Sequence, residues 1–98
     1  MRAILVDAPG GPDRLTLTTV ADPSVGARDI RIRVAAAGVN RADVAQRQGN
    51  YPSPAGAPEW PGLEVSGVVV ETGARASQFE VGDRVCALLA GGGYAYHL

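Results

Sequence analysis

Lysine is absent from this chain. All nine positive side chains are arginine, set against ten Asp and Glu, for a formal net charge of −1 over 98 residues. Positive charge is neither in excess nor clustered, which excludes a nucleic-acid footprint. There is one cysteine, Cys86, so an internal disulfide and any multi-cysteine zinc site are excluded. It lies in the apolar run Val85-Cys86-Ala87-Leu88-Leu89 and is expected to be a buried small hydrophobe rather than a nucleophile. The one histidine, His97, has no partner visible in the sequence. No run approaches the ~18 apolar residues of a membrane span. The opening MRAILVD holds too short an apolar stretch for a signal peptide. The expectation is a soluble, cytoplasmic protein with no membrane partner. Also missing is any GxGxxG turn for a dinucleotide pyrophosphate; Gly91-Gly92-Gly93 lacks the spacing and reads as a turn.

What remains is globular. With 46% hydrophobic and 19% charged residues, the chain has enough apolar material for one modest core. Residues 2–6 and 14–20 read as strands around the turn cluster Asp7-Ala8-Pro9-Gly10-Gly11-Pro12, a hairpin pattern. In the second, Leu15 and Leu17 alternate with Thr16 and Thr18, and half burial is expected. Residues 29–38 alternate again, with Arg31 and Arg33 on a wet face, and close on the small residues Ala35-Ala36-Ala37-Gly38. Asn40 then predicts a helix N-cap, with Asp43 as its capping-box partner. Asp43 and Arg47 fall four apart on one face and are expected to pair. Gly49 ends the helix.

Residues 50–61 hold four of the seven prolines, the isolated Tyr51 and the only Trp, Trp60. This is an unusually long loop, and Trp60 is expected to pack it onto the sheet. Strands are predicted over 63–71, with Gly67 marking a bulge, bend or close backbone approach, over 84–90 as a buried strand, and from Tyr94 to Leu98. About six short strands and one short helix define a mostly β (α+β), partly closed barrel-like domain over 1–98.

The segments GVNRADVAQRQGNYP, PGLEVSGVVVETG and VGDRVCALLAGGGYAYHL resemble the N-terminal catalytic, GroES-like domain of medium-chain dehydrogenases/reductases, and among these the zinc-free quinone oxidoreductases. The resemblance spans essentially the whole chain. It implies a two-domain enzyme in which a nucleotide-binding Rossmann domain, absent from this chain, binds NADPH. It further implies hydride transfer from NADPH to a quinone. The rival within the same superfamily is reduction of an activated C=C bond in an enone or enoyl substrate. A stand-alone, non-enzymatic GroES-like interaction module is the reading from outside the enzymes.

The resemblance also assigns residues. The Cys that ligates catalytic zinc in other branches corresponds to Asn40, and the Gly-His-Glu motif reads Gly62-Leu63-Glu64. The implied site therefore has no zinc, since a catalytic zinc usually takes three protein ligands. Tyr51 and Asn40 are the implied catalytic residues. Asn40, Asp43 and Glu64 are the implied cofactor-binding residues. For Asn40 and Asp43, mutual capping is an equally good account. An isolated chain is expected to be inactive and to self-associate, through the edge of its C-terminal segment or an apolar face left bare.

Overall fold

The computed structural model describes all 98 residues. Five strands and one helix form: β1 (Arg2–Val6), β2 (Leu15–Thr19), β3 (Ile30–Ala37), α1 (Arg41–Arg47), β4 (Glu64–Thr72) and β5 (Arg84–Leu88), with one 3-10 turn at Pro12–Arg14 between β1 and β2. The hairpin pattern is realised as β1 antiparallel to β2, with Ile4 opposite Leu17. The three longer-range strands form a second antiparallel sheet in the order β3-β4-β5. The fold is mostly β, and its sheets do not close into a full barrel.

The last residues join the two sheets. On one side, Ile4 donates to the Tyr94 carbonyl at 2.8 Å and Tyr96 donates to Arg2 at 3.2 Å. On the other, Val34 donates to Tyr96 at 2.8 Å, while Ile32 and Leu98 exchange hydrogen bonds at 2.7 and 3.0 Å. Ala3 thus faces Ala95, and Arg33 faces His97. The C-terminal segment is therefore not the unpaired edge that was expected, because it bonds to β1 on one side and to β3 on the other. Tyr94, Tyr96 and Leu98 carry these bonds, and the outer strands are β2 and β5.

The core forms where these ladders meet. Its buried apolar side chains are Ala3, Ile32, Val65, Val69 and Ala95, and Val69 has no exposed surface. They come from β1, β3, β4 and the C-terminal segment, so the core cannot assemble before the two sheets dock. Gly67 in β4 marks a close backbone approach. A Cβ there would overlap the Arg33 carbonyl oxygen, beside the register shift between Val34 and Ala36. The close approach read from its position is what forms.

One burial expectation is reversed. β5 alternates between exposed and half-buried rather than lying buried, and Cys86 is exposed. A continuous apolar run suggested packing on both faces. Only the Val85 and Ala87 side is covered, and on the other Leu88 remains 87% exposed. In β2 the Leu face is the outer one: Leu15 and Leu17 are exposed, and Thr16 and Thr18 lie half-buried. The two threonine hydroxyls sit 3.3 Å apart, and Thr16 Oγ1 donates to the Leu5 carbonyl at 3.4 Å. Hydrogen bonding allows a threonine face to turn inward where apolar burial alone favours leucine.

Gly67→Ala should lower unfolding stability by about 1–3 kcal/mol, the usual cost of overpacking. The neighbouring exposed Ser66→Ala should stay within about 0.5 kcal/mol. Urea denaturation of both variants measures the difference.

Candidate functional site

Helix α1 is short, and its N-terminus is held by hydrogen bonds. Asn40 is extended, and its N–H donates to the Asp43 carboxylate at 2.9 Å. Asp43 N–H returns to the Asn40 carbonyl at 3.0 Å. The capping box predicted from the sequence is formed, with the Asn40 side-chain contact its looser half. The Asn40 side chain is half-buried.

Asp43 does not pair with Arg47, which corrects that expectation. Its side chain is only 5% exposed. The oxygen that accepts from Asn40 also accepts from the Tyr94 hydroxyl at 2.6 Å, across 51 residues of sequence. Desolvation, then the hydrogen bond and charge of Asp43, push the Tyr94 phenol well above its ordinary value. A neutral phenol that keeps its proton is the better donor to a buried carboxylate. The other Asp43 oxygen and Arg47 Nε are both buried without partners. Sequence spacing places Asp43 and Arg47 on one helical face, but it gives no sign of a tyrosine arriving from the far end of the chain.

Glu64 opens β4 and folds back over Gly38. A Cβ at Gly38 would overlap the Glu64 carboxylate, so a larger residue there would push this side chain aside. Gly38 N–H donates to the Glu64 carbonyl at 3.0 Å. These residues border an open concavity of about 520 Å³, walled by Ala37, Gly38, Glu64, Ser66, Cys86 and Leu88 among others. Its floor is largely apolar, and Glu64 is its only charged side chain. Asn40 lies two residues beyond Gly38, at the end of the same turn. The structure thus brings Asn40, Asp43 and Glu64 to one end of α1.

Tyr51 is placed elsewhere. It lines a separate concavity of about 390 Å³ with Gln46, Ser53 and Glu59, beyond the other end of α1. Gln46 Nε2 donates to Ser53 Oγ and to the Glu59 carbonyl, both at 3.1 Å, and so pins this loop to the helix. Trp60 secures the loop's far end, as expected: its indole N–H donates to Gly92 at 2.9 Å, and Gly92 N–H returns to Trp60 at 2.9 Å. Gly62, at φ +116°, lies so close to Gly93 and Tyr94 that no Cβ fits. The residues missed by sequence reasoning were Tyr94, Gln46 and Cys86. Only pairing across the fold reveals the first two.

No group of three His, Cys, Asp or Glu side chains is placed to hold a metal ion. No helix is long and apolar enough to cross a membrane.

The sequence pattern described as the alcohol dehydrogenase GroES-like domain matches residues 26–97. A quinone oxidoreductase of Lama guanicoe is 42% identical over 97% of this chain and 29% of its own length. The mouse synaptic vesicle membrane protein VAT-1 homolog-like is 39% identical over 91% of this chain and 21% of its own. Among solved structures, Escherichia coli quinone oxidoreductase complexed with NADPH superposes with a TM-score of 0.84 at 30% identity, over 100% of this chain and 30% of that one. The CurK enoyl reductase does so with a TM-score of 0.86 at 26% identity, over 99% and 32%. The chain spans about a fifth to a third of the length of these relatives.

Tyr94→Phe should destabilise the fold by about 1.5–3 kcal/mol, the scale of a hydrogen bond to a charged group. It should also change the alkaline limb of stability. The unfolded chain releases this proton near pH 10, whereas the folded one holds it longer. The contribution is therefore complete below about pH 10 and is lost as pH rises beyond it. Thermal melts from pH 7 to 11 should show a shallower alkaline fall in the variant than in the parent.

Proposed function

The chain belongs to the alcohol dehydrogenase GroES-like domain family, and on that footing we propose that it is the catalytic-domain portion of an NADPH-dependent quinone oxidoreductase. The observation that carries this reading is the wall bordered by Gly38 and Glu64, with Asn40 two residues beyond Gly38. It is open, mostly apolar, and has a single carboxylate. Such a surface suits a flat, uncharged ring, either a nicotinamide or a quinone. It does not suit a pyrophosphate, which needs backbone N–H donors or cations. The lining therefore fits the reactive end of NADPH and not its phosphates. A separate dinucleotide-binding domain would hold those, with residues 1–98 acting as one domain beside it. The similarity to quinone oxidoreductases over nearly the whole chain supports this division.

When bound, NADPH supplies the hydride; this domain orients and protects. Asn40 offers an amide beside the ring. Glu64, held over Gly38, sets the polarity of the wall. Asp43 is nearly buried, so its proposed part in cofactor binding is to fix Asn40 through the capping box and not to touch the ring. Tyr51, on its loop, is proposed to orient an acceptor oxygen or to give it a proton. The site is proposed to work without zinc, because Asn40 and Leu63 offer no good ligands for it. The setting is proposed to be cytoplasmic. Reduction of an activated C=C bond is the second reading, favoured by the likeness to an enoyl reductase.

In the complete protein carrying this domain, NADPH oxidation should proceed with 1,4-benzoquinone and be at least about tenfold slower with crotonyl-CoA. The reverse order would select the second reading, and no turnover with either would overturn both. Tyr51→Phe should lower kcat by about a hundredfold, at the low end of acid–base contributions, with the melting temperature unchanged. Unaltered kinetics in a folded variant would remove Tyr51 from the mechanism. The 98-residue chain alone should show no micromolar binding of NADPH by calorimetry.

A further inference from the structure

The end of the β3–β4 ladder away from α1 carries a second polar concavity. Beyond β3 and β4 the two strand extensions stay zipped: Gly73 N–H donates to Asp29 at 2.8 Å and Arg75 N–H donates to Ala27 at 2.7 Å. Gly73 makes this possible, because a Cβ there would overlap the Gly26 carbonyl oxygen. The zipped segments and the following turn enclose about 330 Å³, lined by Arg28, Ile30, Arg75, Ala76, Ser77, Gln78 and Phe79. That volume lies at the small end of the ~300–1,000 Å³ usual for ligand pockets.

Its chemistry is one-sided. Two guanidinium groups line it and no carboxylate does. Neither arginine takes part in any of the chain's ion pairs, which join Met1 to Asp22, Arg14 to Asp7 and Arg31 to Glu71. The acids nearest in sequence, Asp29 and Glu80, are not in the lining, and the Asp29 carboxylate accepts from the Gly26 N–H at 3.0 Å. The side chains of Ser77 and Gln78 have no partners within the molecule, which leaves a hydroxyl and an amide free beside the two cations. Ile30 is half-buried and Phe79 is 41% exposed, so one wall is apolar and partly aromatic.

We propose that this cleft binds a phosphate monoester carried on a flat apolar body. Arg28 and Arg75 take the phosphoryl oxygens, Ser77 and Gln78 complete their hydrogen bonds, and Phe79 with Ile30 packs against the body. Two uncompensated guanidinium groups match a phosphoryl dianion in charge and in forked geometry. The aromatic wall supplies area that free phosphate cannot use. The cleft shares no lining residue with the concavities beside Glu64 and Tyr51. It is thus independent of the oxidoreductase reading.

The test is a titration of the 98-residue chain followed by backbone amide NMR, with phenyl phosphate, inorganic phosphate and benzyl alcohol as probes. Phenyl phosphate should give saturable shifts confined to residues 28–30 and 75–79, at least about fivefold tighter than inorganic phosphate. Benzyl alcohol should give none. Arg28→Ala with Arg75→Ala should weaken phenyl phosphate at least tenfold. Both side chains are exposed, so the double variant should keep its amide spectrum elsewhere. Phe79→Ala should erase the preference over inorganic phosphate. No saturable shift at these residues, equal binding by the double variant, or equal binding of phenyl and inorganic phosphate would each overturn the proposal.

Discussion

Five residues hold the two sheets together. Residues 94–98 hydrogen-bond to β1 along one edge and to β3 along the other. Without that bridge the β1–β2 hairpin would have no backbone contact with the β3-β4-β5 sheet, and an isolated hairpin is marginal in water. The buried set shows the same dependence, because Ala95 comes from the bridging segment and Ala3 from the strand it docks. The glycines follow from this geometry. Gly62 must admit the backbone of Gly93 and Tyr94, and Gly67 must admit that of Arg33.

The bridge also locates the site. Tyr94 stands at its start and donates to Asp43, so the N-terminus of α1 is tied to the same segment that joins the sheets. Asn40 is held in turn by the Asp43 carboxylate. A chain of two hydrogen bonds thus runs from the sheet junction to the residue beside the proposed nicotinamide wall. Desolvated hydrogen bonds of this kind fix geometry better than exposed contacts do. The loop bearing Tyr51 has its own anchors, Gln46 and Trp60, and is positioned separately from the bridge's first turn.

Local signals were legible and non-local ones were not. The hairpin, the Asn40 cap, the Gly67 approach and the Trp60 anchor each depend on a pattern within a few residues, and each formed. Asp43 shows the limit. Its spacing to Arg47 is a correct statement about a helical face, yet the donor it takes comes from residue 94. Cys86 shows a second limit. A run of apolar residues records composition but not which strand will lie at an edge, and β5 is an outer strand with one face uncovered. The alternation of β2 predicted its half-burial but not which face turns inward, and Thr16 on the inward face hydrogen-bonds to Leu5. The proposed roles of Asn40, Glu64 and Tyr51 rested on resemblance; of the three only Glu64 lines the apolar wall, Asn40 lies two residues beyond Gly38, and Tyr51 lines another concavity.

The pairing of Ala3 with Ala95 spans 95 − 3 = 92 residues of chain. During synthesis at about 5–20 residues per second, the first strand waits roughly 5–18 s for its second neighbour to be made. Until then β1 has only its hairpin mate, and one of its edges stays open to any other nascent strand. Contacts this distant in sequence also slow folding in free solution, because the loop-closure entropy must be met before the pairing gives anything back. The junction that makes the finished fold cohere is therefore also the last to form, and its open interval on the ribosome is when the chain is most exposed to mispairing.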